Sequence, residues 1–162
     1  MANDHLSTYL NDHLAGAVAA LDLLGRLESA QAGTSVAGTL ADLRADIAAD
    51  RQQLETLMAR LDIDESRSRK ALAWIAERAT HLKLRLDDSS DGALGRLEAL
   101  DALVVGITGK RALWQALSVA ADASPGLRGV DYDRLTQRAD EQRDRVEVMR
   151  LEAARSAFAE VR

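Results

Sequence analysis

The sequence predicts an all-α protein: an antiparallel four-helix bundle with one additional crossover helix. Three observations carry this expectation. Apolar residues recur at alternating steps of 3 and 4 through long stretches, the spacing of one buried helix face. The 162 residues include one proline and only 3% aromatics, and Ala, Leu, Arg and Glu abound, as in long helices with few irregular loops. With 47% hydrophobic and 29% charged residues, the chain has the apolar material to fold around a core that Leu and Ala must fill. The length suits a single domain, 1–162.

The first segment, about 5–29, carries Leu6, Leu10, His13, Ala17, Ala20, Leu24 and Leu27 in a 4-3 register. Gln31-Ala32-Gly33-Thr34-Ser35 breaks it and offers a cap to the next helix. The second segment, about 36–61, has the longest unbroken register: Val36, Leu40, Leu43, Ile47, Asp50, Leu54, Leu57 and Leu61. The third, about 67–86, has a stripe of Leu72, Ile75, Ala79, Leu82 and Leu86. It ends at Asp87-Asp88-Ser89-Ser90-Asp91-Gly92, a loop signal. In the fourth, about 93–121, Leu97, Leu100, Val104, Ile107 and Trp114 line one face. Gly106 and Gly109 lie inside it, where glycine costs roughly 1 kcal/mol against Ala unless it permits a close backbone approach. Ser124-Pro125-Gly126 ends this helix, and Asp131 can cap the fifth, about 132–160. The fifth has a stripe of Tyr132, Leu135, Ala139, Gln142, Val146, Met149 and Ala153.

Polar residues interrupt these seams. His13, Asp50 and Gln142 occupy stripe positions, and Lys110 and Arg111 flank the stripe of the fourth segment. A polar side chain in a seam is costly unless paired. Short loops make neighbouring helices antiparallel. Counting from the shared turns then brings His13 level with Asp50, and Lys110 level with Gln142. Asp50 is therefore expected to be buried and to pair with Lys110, Arg111 or His13. Alternatively it could serve as a metal ligand or a general base. Val148, Leu151 and Phe158 form a second apolar strip on the fifth segment, away from Val146 and Met149. Either the third segment, whose extra face carries Trp74 and His81, or a second copy of the chain must cover it. The expectation is a symmetric homodimer.

Two helix pairs joined by a long crossover, with polar residues midway along the core, resemble the ferritin-like fold. The opening Tyr9-Leu10-Asn11-Asp12-His13-Leu14 is similar to the first helix of bacterioferritin-like proteins. Di-iron members of that superfamily use a Glu from each of two helices and a Glu-x-x-His pair from each of two others. This sequence contains no Glu-x-x-His; Ile47 stands three residues before Asp50, and Gln142 occupies the seam of the fifth segment. A cation at Lys110 or Arg111 would repel a metal. The resemblance thus implies the fold without its di-metal centre, and no metal or other cofactor is expected.

Other chemistries are narrowed in turn. No cysteine is present, which excludes disulfides, thiolate nucleophiles and Cys-based metal sites. The net charge of -5, with bases scattered among acids, argues against nucleic acid. No apolar run approaches the ~20 residues of a membrane span, and the N-terminus lacks the features of a secretory signal. A cytoplasmic location is expected. Gly106-Ile107-Thr108-Gly109-Lys110 lacks the glycine spacing and preceding strand of a phosphate loop. No catalytic residues stand out, so the reading leans away from an enzyme. It favours a helical scaffold or protein-interaction protein with an unidentified protein partner. The alternatives are a metal-binding or oxidoreductase bundle with a site around His13 and Asp50, and a binder of small apolar ligands.

Overall fold

The computed structural model describes residues 2–65 and 92–159. The third sequence segment, with Leu72, Trp74, Ile75, Ala79, His81, Leu82 and Leu86, lies outside the described residues. The described residues form four α-helices: α1 (Ala2–Ala30), α2 (Ser35–Arg60), α3 (Gly92–Ala121) and α4 (Tyr132–Ala157). A 3-10 turn at Pro125–Leu127 lies between α3 and α4, and no strand occurs among the described residues.

The helix ends have local causes. At the start of α2, Thr34 adopts extended backbone angles but makes no side-chain cap. Its hydroxyl instead donates back to the Gln31 carbonyl at 2.7 Å. At the end of α2, Asp62 takes a left-handed conformation with φ 55°. The Asp62 amide then donates to the Ala59 carbonyl at 3.2 Å, and the Ile63 amide to the Met58 carbonyl at 3.0 Å. These paired bonds satisfy carbonyls that a helix end otherwise leaves open. At α4, the Asp131 carboxylate accepts from the Arg134 amide at 2.9 Å, a side-chain N-cap.

Among neighbouring helices, α3 and α4 pack most extensively, followed by α1 with α2, then α1 with α3, and last α2 with α4. Two apolar clusters fill the interior. One combines Leu24 and Leu27 of α1, Leu40, Leu43 and Ile47 of α2, Leu97 to Ile107 of α3, and Ala139 to Ala153 of α4. The other combines Leu10 and Leu14, Leu54 to Met58, Leu113 to Leu117, and Tyr132 with Leu135. Each helix contributes its two halves to different clusters.

The buried face of α4 comprises Tyr132, Leu135, Ala139, Gln142, Val146, Met149 and Ala153. In α1 the buried residues include Leu10, Asn11, Leu14, Leu24 and Leu27, while His13 is only half-buried. Gly106 and Gly109 permit no close approach, because a Cβ at either would meet nothing within 4 Å. Close approach occurs instead at Gly126, where a Cβ would stand 2.9 Å from Leu61 Cδ2.

Candidate functional site

A polar layer lies between the two apolar clusters. On α2, Asp50 falls between Ile47 of one cluster and Leu54 of the other; on α3, Lys110 falls between Ile107 and Leu113. Both Asp50 and Gln142 are 1% exposed. Lys110 Nζ lies 2.6 Å from Asp50 Oδ2 and also donates to Gln142 Oε1. Gln142 Nε2 in turn donates to Asp50 Oδ2 at 2.7 Å. Aspartate, lysine and glutamine thus close a ring of hydrogen bonds across α2, α3 and α4.

The second carboxylate oxygen is treated differently. Arg138 Nη2 stands 3.1 Å from Asp50 Oδ1, close enough to neutralise charge. That same nitrogen donates to the Asp46 carbonyl at 3.2 Å, and no directed hydrogen bond reaches Oδ1. Trp114 Nε1, one turn beyond Lys110, is also buried without a hydrogen-bond partner. Its indole lies against the Tyr132 ring, with centroids 6.4 Å apart. The Tyr132 hydroxyl donates to the Leu127 carbonyl at 2.7 Å, and burial raises its pKa.

Electrostatics in the layer follow from burial. Desolvation lowers the pKa of Lys110, and the adjacent Asp50 carboxylate opposes that shift by attraction and by its hydrogen bond. Outside the layer, Arg145 donates to the Asp46 carboxylate, extending the ionic contacts along the α2–α4 edge. Asp46 and Asp50 stand one turn apart on α2, and the cations beside them come from the chain itself.

Two other residues singled out in the sequence lie elsewhere. Arg111 points away from Asp50, and its Nε donates to both Asp140 carboxylate oxygens at 2.9 and 3.0 Å. The expected level of His13 with Asp50 does not bring them together. His13 packs edge-to-face against Tyr9, with ring centroids 4.7 Å apart. Burial lowers its pKa, while Asp12 raises it.

The register of α1 explains this departure. Ala and Leu occupy several sides of the helix, so their spacing does not single out one face. Asn11 takes an inner position instead, 2% exposed, and its Nδ2 donates to the Ser7 carbonyl at 2.9 Å and the Asp64 carbonyl at 3.2 Å. Arg138, a further member of the layer, is not singled out by the apolar spacing. Its signal was its place one turn before Gln142, on the same side of α4.

Among the described residues, no group of three or more His, Cys, Asp or Glu side chains could hold a metal ion. Nor is any described helix long and apolar enough to cross a membrane. The outer face of α4 displays Val148 and Leu151 at 62% and 45% exposure, and Phe158, the residue that ends the helix, is 55% exposed. On α3, Val105 and Val119 are likewise exposed. No protein-family model, curated protein or solved structure matches the chain.

Proposed function

We propose that this protein is a non-enzymatic helical scaffold that self-associates through the outer face of α4. The observation that carries this reading is the exposed strip of Val148, Leu151 and Phe158. Isolated exposed apolar residues are ordinary, but several on one helix face favour association. A second copy suits the strip chemically. In an antiparallel pairing about Leu151, Glu147 of one copy comes level with Arg155 of the other, so opposite charges flank an apolar centre. The proposed setting is the cytoplasm.

The fold proposed for this scaffold is an antiparallel, ferritin-like bundle. The C-terminal half of α1 shares a cluster with the N-terminal halves of α2 and α3 and the C-terminal half of α4. That distribution supports α2 and α3 running in the same direction, as a long crossover requires. The alternative of a metal or redox site around His13 and Asp50 has less support. His13 stands against Tyr9, and Asp50 faces Lys110, Arg138 and Gln142.

Sedimentation across micromolar concentrations tests the assembly. The expected result is a dimer that Leu151→Glu converts to a monomer with its helicity intact. A wild-type monomer at every concentration overturns self-association. If Leu151→Glu then also unfolds the chain, the strip is internal packing.

A further inference from the structure

We propose that the α2–α4 edge is the opening edge of the bundle, a polar latch about which the α1–α2 pair and the α3–α4 pair separate while the α1–α3 seam acts as the hinge. Two observations carry this independently of the self-association reading. Among the described helices that pack side by side, α2 and α4 approach least. The named contacts across that edge are polar. Asp46 meets Arg145, and Asp50 meets Arg138 and Gln142, with Lys110 reaching Asp50 from α3. The latch is one-sided: α2 supplies the acids, while α3 and α4 supply the donors.

This division makes opening easier here than at the other seams. Separating the α3–α4 or α1–α2 pair exposes hydrocarbon to water, which is unfavourable in proportion to area. Parting α2 from α4 also uncovers apolar residues that the two helices share in the core clusters, but these helices meet least, and the charged groups returned to water recover hydration that offsets much of the lost attraction. The Asp46–Arg145 bridge is also partly exposed, at 44% and 35% of side-chain surface, so dissolved salt can screen it. The recurrence of Asp46 and Asp50 one turn apart thus acquires a conformational role.

Distance measurement between spin labels tests the latch, and the absence of native cysteine leaves no competing label site. One pair, Ala49→Cys with Glu141→Cys, uses exposed positions on α2 and α4. A control pair, Thr108→Cys with Asp144→Cys, uses exposed positions on α3 and α4. Raising salt to about 1 M shortens the screening length to about 3 Å. The α2–α4 distance should then lengthen and broaden, while the control distance and helicity stay unchanged. Combining Asp50→Leu, Lys110→Met and Gln142→Leu should narrow the α2–α4 distribution and weaken its salt response. Should that variant not fold, Asp46→Asn with Arg145→Gln must lengthen the α2–α4 distance at low salt. An α2–α4 distance indifferent to both salt and loss of the outer bridge overturns the proposal, as does equal widening of the two labelled pairs.

Discussion

Lys110 Nζ lies 2.6 Å from Asp50 Oδ2, joining residues 60 positions apart on α2 and α3. These helices are not one of the pairs that pack extensively side by side. The contact therefore crosses the interior and couples two helices whose own surfaces meet little. A buried opposite charge gives each partner an environment that it loses if the other is removed. Truncating Asp50 to Ala should destabilise the fold by about 3–5 kcal/mol, because Lys110 is left without its carboxylate. Chemical denaturation checks this; a loss below about 0.5 kcal/mol would be the behaviour of a surface site. Replacing the ring with Asp50→Leu, Lys110→Met and Gln142→Leu should be far milder than Asp50→Ala.

The lowered pKa of Lys110 sets the sign of an alkaline effect. Between its folded pKa and the ordinary value of 10.5, the unfolded chain holds a lysine proton that the folded protein has released. Stability from this group therefore rises with pH in that window. The difference in unfolding free energy between wild type and Lys110→Met should shift in favour of wild type as pH approaches 10.5. Denaturation series on both proteins measure it; an opposite slope would mean that attraction to Asp50 outweighs burial.

His13 gives the corresponding effect under acid conditions. Its folded pKa is below 6.5, so on acidification the unfolded chain takes up the imidazole proton first. Its contribution is retained above 6.5 and lost as pH falls through the window below it. His13→Gln should flatten that part of the stability profile. Titration of the His13 ring by nuclear magnetic resonance should show a midpoint below 6.5.

Asp62 offers a stabilising change. Its positive φ is disfavoured for a residue with a Cβ, although Asp tolerates it better than most. Asp62→Gly should preserve the bonds from residues 62 and 63 to α2 and add up to about 1 kcal/mol of stability. Thermal unfolding should shift upward; a downward shift would show that the Asp62 side chain contributes more than its backbone conformation costs.

Legibility differed from helix to helix. In α4, charged residues surround a narrow apolar stripe, so every member of the buried face could be read from spacing. In α2, Leu40, Leu43, Ile47, Asp50, Leu54 and Leu57 were equally legible, whereas buried Met58 was not in the stripe. The Ala- and Leu-rich α1 supplied several plausible faces, and the chosen one placed His13 where Asn11 and Leu14 are buried. The polar layer was only partly legible. Sequence spacing put Lys110 and Gln142 at one height, but the reach of Arg138 past Asp50 to Asp46 depends on side-chain direction in three dimensions.

The contact of Gly126 with Leu61 also determines where the chain can accept extra residues. A Cβ at Gly126 would clash with Leu61, Arg60 Nη2 donates to the Gly126 carbonyl at 3.0 Å, and Leu127 is buried. An inserted peptide there would pry the α3–α4 connection from the end of α2. The turn between α1 and α2 is different: Ala32, Gly33 and Thr34 are exposed, and a Cβ at Gly33 would meet no neighbour. A tag or grafted epitope placed between Ala32 and Gly33 can project into solvent with the interior intact, making that turn the better site for display.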